Sequence, residues 1–430
     1  GYPGTKGHAM SDQPTVEEFA EEARAFLDAH AELRVTDAKP FTWGDGDDDL
    51  SLFEEVDREA EQVQIAEAKR WRAARYDAGF GWITGPTEYG GRGLGKGHER
   101  AYASLESRYV LPKTNFFGIG LGMVAPTILA HAQDHVKARY LPKMYRGDLI
   151  GAQLFSEPGA GSDLASLTTK AERDGDEWII TGQKVWTSGA HYSDIGEVIC
   201  RTDPDLPKHR GLTGFVIDMH APGVEVRPLR QMTGGAAFNE VFFDGLRVPD
   251  DHRLGDVNGG WAVALTTLLN ERASIGAGSG GGGLGGLGNA ARLIEMLRHF
   301  DLDRDPLLRQ ELAAVYSGFQ VAKWNGQRAM DKVKAGQAPG PELSGAKLSL
   351  TRNLQAVAEF AGHVLGPRMV ADTGEWGTYA WGQFVCGVPG MRVAGGTDEV
   401  LKKIISEQVL GLPKDVGIDT TSPFKDLPKS

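Results

Sequence analysis

The densest cluster of chemically useful residue types lies between Gln153 and Gly189, in QLFSEPGAGSDLASLTTKAERDGDEWIITGQKVWTSG. Its turn Glu157-Pro158-Gly159-Ala160-Gly161-Ser162-Asp163 offers backbone amides and a hydroxyl, a combination suited to holding a polar or anionic group. Further on, Trp186 precedes the hydroxyls of Thr187 and Ser188 at the end of a strand-like run. A flat apolar face beside hydrogen-bond donors suits an aromatic heterocycle. A second candidate stands in Leu268-Leu269-Asn270-Glu271-Arg272. On a helix starting near Trp261, Glu271 shares a face with Ala264, Thr267, Leu268 and Ile275. If that stripe is buried, the carboxylate is partly desolvated and becomes a stronger base. If it is not, Glu271 is a surface residue paired with a neighbouring cation.

The elements that must position these groups fall into three stretches. After residues 1–10, which read as a cloning remnant and are set aside, the spacing predicts helices over 11–150. Thr15 is placed to cap the first. Leu52-Phe53, Val56, Ala60 and Val63 continue the helical period. Over 151–250 the pattern changes to short β-like runs: Glu177 to Ile180, Gly196 to Cys200, Gly214 to Asp218, Val224 to Val226 and Glu240 to Phe243. From Trp261 helical periodicity returns, giving a third stretch over 251–415, with 416–430 as a tail. Helices, then strands, then helices is an α+β order and disfavours a doubly wound dinucleotide fold. The string Gly90-Gly91-Arg92-Gly93-Leu94-Gly95 follows no strand and is not read as that fold's fingerprint. The acidic run Asp45-Gly46-Asp47-Asp48-Asp49 lacks the offsets of a calcium loop and is expected to be a solvated loop. The tract Gly276 to Gly288 is too glycine-rich for a stable solvated helix. It is either a flexible loop or a place where backbone approaches a ligand or helix closely.

The two cysteines, Cys200 and Cys386, form no C-x-x-C pair, which predicts neither a disulfide framework nor structural zinc and fits a reducing cytoplasm. A net charge of -12 argues against a nucleic-acid partner. No apolar run is long enough to span a bilayer.

Taken together, the motifs resemble the acyl-CoA dehydrogenase family. The likeness rests on the stretch Ser156 to Asp163, on Gln183-Lys184-Val185-Trp186-Thr187-Ser188-Gly189 and on Tyr89-Gly90-Gly91. It extends to Val241 to Pro249, to Ala394-Gly395-Gly396-Thr397-Asp398-Glu399-Val400 and to the closing run Ile404 to Pro413. The resemblance implies a helical N-terminal domain, a β-barrel-like middle domain and a C-terminal four-helix bundle, with FAD between the last two. It places Phe155, Ser156, Trp186 and Ser188 at the isoalloxazine, Thr397 on the cofactor from the C-terminal side, and Ser162 near the pantetheine or pyrophosphate. The implied reaction removes an α-proton from an acyl-CoA and a β-hydride to the flavin. Many members carry the base just before the Gly-Thr of the C-terminal motif; here that position is Gly395. A minority, similar to isovaleryl-CoA dehydrogenase, carry it on the first long C-terminal helix, where Glu271 stands. Gly395 is then left to donate its N–H to the thioester oxygen, and Arg272 to support the CoA portion or the helix.

One departure is evident. The family's Arg-x-x-Phe-Gly run, which holds the FAD pyrophosphate of a neighbouring subunit, is missing. The implied assembly is therefore a homotetramer or dimer, or a mixed hetero-oligomer, with electron-transfer flavoprotein as the electron acceptor. Two alternatives stay open: a flavin monooxygenase on the same fold, and a non-catalytic subunit of a mixed tetramer. The bare Gly395 and Gly396 and the glycine tract together favour a branched, ring-bearing or long acyl group.

Overall fold

The computed structural model describes residues 13–35, 41–53, 57–276, 290–335, 344–414 and 419–428, without the side chains of 272–276, 330, 333 and 334. Residues 1–10, residues 277–288 of the glycine tract and the side chain of Arg272 thus lie outside the described residues. The chain forms two compact units.

The first unit comprises the described parts of 1–38, 58–117 and 134–150. Its helices are α1 (Val16–His30), α2 (Arg58–Asp77) and α3 (Lys96–Glu106). A two-residue ladder pairs β1 (Glu32–Leu33) with β2 (Tyr109–Val110). Thr15 caps α1 as expected: its hydroxyl accepts the Glu18 amide while the Glu18 carboxylate accepts the Thr15 amide. Phe19, Ala23 and Leu27 of α1 are buried with Trp71, Phe80 and Tyr102.

The second unit gathers 39–57, 118–133 and 151–430. It contains α4 (Ala125–His131), entered through a π-helical turn at Gly120–Val124; α5 (Asp134–Arg146) belongs to the first unit. The strands follow: β3 (Gly151–Leu154), β4 (Lys170–Asp174), β5 (Glu177–Ser188), β6 (Ile195–Arg201), β7 (Leu212–Asp218), β8 (Val224–Leu229), β9 (Phe238–Pro249) and β10 (Arg253–Leu254). They build an eight-stranded sheet in the order β10-β7-β6-β4-β5-β9-β8, with β3 added parallel to β6. Strand β6 is buried along its whole length. In β9 buried and open positions alternate, as a sheet with one covered face requires.

Helices α6 (Gly260–Gly276), α7 (Ala291–His299), α8 (Pro306–Lys334), α9 (Ser344–Leu365), α10 (Ala380–Val393) and α11 (Asp398–Ile404) complete the unit. Helix α9 packs against α6, α7, α8, α10 and α11, so Leu354, Val357, Phe360 and Val364 sit in a core with Trp381 and Phe384. No helix among the described residues is long and apolar enough to cross a membrane.

One expectation is corrected here. Helix α2 starts only at Arg58, so Leu52 and Phe53 do not belong to it. They pack on α10 where two glycines leave room: a Cβ at Gly390 would lie 2.8 Å from Phe53 Cε2, and one at Gly387 3.2 Å from Leu52 Cβ. Their helix-like spacing reads contact with a helix, not membership in one. The acidic run 45–49 is the expected exposed loop except at Asp48, which is half-buried. Asp48 accepts the Gly377 amide at 2.9 Å, and its carbonyl accepts from Arg292 at 2.9 Å.

Phe384 is fully buried beside Trp381. Phe384→Ala is expected to lower the unfolding free energy by about 3–5 kcal/mol. Chemical denaturation checks this, and a loss below about 1 kcal/mol would contradict the packed core described.

Candidate active site

The turn after β3 is fastened to β5 by a buried ion pair. Lys184 is fully buried and its Nζ lies 2.9 Å from Glu157 Oε1. The same ammonium donates to the Phe155 carbonyl at 2.9 Å. Glu157 accepts further bonds from the amides of Thr168 (2.7 Å) and Thr169 (2.9 Å) and from the Thr168 hydroxyl (2.8 Å). Burial works against the charge on Glu157, but Lys184 and these donors outweigh it and hold the carboxyl below its usual range. Gly182 permits the approach, since a Cβ there would lie 2.5 Å from Thr169 Oγ1.

These bonds bring Phe155 and Ser156 alongside the end of β5. Val185 N–H donates to the Ser156 carbonyl at 2.8 Å. With the carbonyls of Phe155 and Ser156 both engaged, the Ser156 hydroxyl and backbone amides are the groups this turn can offer a ligand. Next to them β5 bulges against β9 between Lys184 and Thr187. Trp186 sits in the bulge in left-handed backbone (φ 60°), a costly state for a bulky residue, and its side chain is 57% exposed. Ser188 pairs with Phe238 of β9. Beneath the bulge, Thr187 Oγ1 and Asn239 Oδ1 are buried with no hydrogen-bond partner. Ser162 is exposed beside Asp163, which Lys208 holds at 2.7 Å.

An aromatic series joins this edge to the helices. Trp186 meets Phe238 edge-on at 5.8 Å, and Phe238 meets Phe53 at 5.3 Å. Phe53 rests on Gly390 of α10, and α10 leads into Gly395-Gly396-Thr397. Gly395 (φ 66°) and Gly396 (φ 94°) both lie in left-handed backbone. Lys347 donates to the Gly396 carbonyl at 2.8 Å, and Asp398 binds Arg392 and the Thr351 hydroxyl. Thr397 caps α11 by accepting the Val400 amide, which leaves its O–H able to donate.

Glu271 lies on α6 and is half-buried. Ala264 and Thr267 on its face are fully buried and Leu268 is half-buried, whereas Leu265 and Leu269 face outward. Within the described residues the stripe is buried at Ala264 and Thr267; the side chain of Ile275 lies outside them. The sequence reading missed Glu197 of β6, fully buried and 2.6 Å from Thr267 Oγ1. An acid inside the apolar run Ile195–Cys200 was the available signal.

Profiles described as the N-terminal, middle and C-terminal domains of acyl-CoA dehydrogenase match residues 48–148, 152–246 and 258–410 in turn. Acyl-CoA dehydrogenase IpdE1 of Mycobacterium tuberculosis is 36% identical over 357 residues, covering 83% of this chain and 90% of that protein. The chain belongs to the acyl-CoA dehydrogenase family. Acyl-CoA dehydrogenase FadE34 of the same organism is 43% identical over 295 residues; these cover 67% of this chain but only 39% of FadE34. Among solved structures, the Tcur3481-Tcur3483 steroid ACAD matches with a TM-score of 0.69 and 26% identity, over 94% of this chain and all 100% of that one. The family consists of flavin-dependent oxidoreductases of lipid metabolism with FAD as cofactor. The donor set at the β5 bulge fits such a group: an open indole face, the Ser156 and Ser188 hydroxyls, and two buried polar atoms lacking partners.

Removing Lys184 leaves Glu157 charged and buried. Lys184→Met is expected to cost about 3–5 kcal/mol at neutral pH, with partial recovery in the double variant Lys184→Met/Glu157→Gln. Because the Glu157 carboxyl is held below its usual range, the pair stabilises the fold above that range and the benefit is lost as pH falls through the folded-state value. Unfolding curves between acidic and neutral pH check both statements.

Proposed function

We propose that the chain catalyses FAD-dependent α,β-dehydrogenation of an acyl-CoA to the trans-2-enoyl-CoA, with Glu271 as the base for the α-proton. The observation that carries this reading is the pairing of a half-buried carboxylate on the buried stripe of α6 with a side-chain-free, left-handed Gly395. A glutamate at Gly395 would be strained by about 1–2 kcal/mol in that backbone. Glu271 is half-buried, as a carboxylate that takes an α-proton from a substrate sheltered from water must be. The Gly395 amide donates to the thioester oxygen, where negative charge grows as the proton leaves. Phe155, Ser156, Trp186, Ser188 and Thr397 hold the cofactor. Ser162 and Arg272 serve the CoA portion. FAD, when bound, supplies the acceptor for the β-hydride, a role no side chain can fill.

The acyl group is ring-bearing, branched or long. Gly395 and Gly396 leave one wall without side chains, and the aromatic series Trp186, Phe238 and Phe53 offers flat apolar surface. A structural relative named as a steroid enzyme supports this choice. That relative's two-part name also favours a mixed hetero-oligomer over a homotetramer, with electron-transfer flavoprotein taking the electrons.

Glu271→Gln is expected to retain FAD and acyl-CoA binding while kcat falls about 10²–10⁴-fold. Anaerobic flavin bleaching and steady-state turnover measure it; retention of more than about a tenth of the rate rules out Glu271 as the base. Across a panel of acyl-CoAs, kcat/KM is expected to be higher for polycyclic and branched chains than for butyryl-CoA. A preference for butyryl-CoA would refute the assigned substrate class.

A further inference from the structure

Glu197 is an acid in a place that offers a charge almost nothing. It stands in fully buried β6, opposite Gln153 of β3 and Val216 of β7. Its Oε1 lies 2.6 Å from Thr267 Oγ1, and its Oε2 is buried without a partner. The Thr267 hydroxyl in turn lies 2.8 Å from that of Thr127 on α4, and Thr127 donates to the Met123 carbonyl at 2.8 Å.

Counting hydrogens favours the neutral acid. Each threonine has one hydroxyl proton. The Thr127 proton goes to the Met123 carbonyl, so the Thr267 proton goes to Thr127 Oγ1 or to the Val263 carbonyl at 3.2 Å. With Thr127 bonded to Met123, the short contact takes its proton from Glu197 itself; the reverse pattern, Thr127 donating to Thr267 and Thr267 to Glu197, gives up the Met123 bond. An ionised Glu197 would reverse the chain and leave its second oxygen charged and bare. Burial pushes the carboxyl up to about 8.

We infer that Glu197 acts as a neutral carboxylic acid that, through Thr267, positions helix α6 and with it Glu271. Thr267 and Glu271 are one helical turn apart on the same face, so the bond fixes the helix where the base sits. The inference rests on the reading of Glu271 as base. The titratable groups on the elements around Glu197 are His131 of α4, held by the Thr266 hydroxyl at 2.8 Å and pushed toward its neutral form by burial, Glu271 and Arg272 of α6, and those of β4, which pairs with β6 at Lys170 opposite Arg201. Arg201 at the far end of β6 donates to the carbonyls of Lys208 and Leu167, and Asp218 ends β7 exposed to solvent. The turn Gly120–Val124 and β3 bring none. A proton lost from Glu197 therefore leaves an uncompensated anion against Thr267, one helical turn along α6 from Glu271, and loosens the helix there.

The test compares wild type, Glu197→Gln, Thr267→Val and Glu271→Gln, all FAD-loaded, with one turned-over acyl-CoA across pH. Wild-type kcat is expected to fall about tenfold per pH unit above about 8, as loss of one required proton dictates. Glu197→Gln, neutral and of the same shape, should keep the neutral-pH kcat and lose this alkaline fall. Thr267→Val should lower kcat with little change in KM. Thermal unfolding gives a readout independent of catalysis. Because the folded-state acid is shifted upward, wild-type stability is full below the usual carboxylate range and declines as pH rises toward about 8. Glu197→Gln should lack that decline. An infrared band of a protonated carboxyl, absent in Glu197→Gln, would support the assignment. An unchanged alkaline fall in Glu197→Gln, while Glu271→Gln is inactive, overturns the role of Glu197 alone. Turnover by Glu271→Gln overturns the base itself.

Discussion

The buried contact between Lys184 and Glu157 is the constraint on which the cofactor-facing edge depends. A lysine with no exposed surface and a carboxylate that is almost equally hidden would each be expensive alone. Glu157 offsets this by accepting from two amides and a hydroxyl as well as from the ammonium, and Lys184 by donating to a carbonyl in addition. The result ties three separate pieces of chain together: the turn after β3, the loop at Thr168–Thr169, and β5. Once those are fixed, the bulge at Trp186 has little freedom. The indole is then held outward in left-handed backbone, a state a lone strand would relax.

A second consequence concerns how the two walls of the site divide the work. The Gly395-Gly396 turn follows a path that suits residues without a Cβ, and Lys347 holds it by the Gly396 carbonyl. A wall of that shape can present backbone amides but strains a carboxylate. The carboxylate on α6 occupies a regular helix whose orientation is set by buried Ala264 and Thr267. Precision at the α6 side therefore depends on packing, and at the Gly395 side on backbone conformation.

The order of helices, strands and helices was legible because it rests on periodicity, and the Thr15 cap because capping is local. The Ser156–Asp163 turn stood out by its residue types. Other features depend on long-range contact and could not be read. Strand β3 is a four-residue run and β10 a two-residue one, each defined by its neighbours in the sheet. Leu52 and Phe53 show helical spacing because they follow a helix surface, and only the glycines of α10 disclose the groove. Asp48 looks solvated until Gly377, more than three hundred residues away, presents its amide. Trp186 is exposed, and its left-handed backbone follows from a bulge that spacing does not reveal.

Glu157 and Glu197 show why residue type alone could not assign these roles. Both are buried glutamates in one compact unit. Glu157 faces an ammonium and several donors, and stays charged below the usual carboxylate range. Glu197 faces one hydroxyl, and burial drives it the other way. The first arrangement locks a turn by attraction between charges and resists change until the solution is acidic. The second locks a helix by a neutral bond and gives way when the solution is alkaline. In the folded protein the Glu157 pair loses its charge on the acidic side and the Glu197 acid its proton on the alkaline side, so both bonds are formed between them. On the proposed reading of Glu271 as base, both anchors of its surroundings are intact over that same interval.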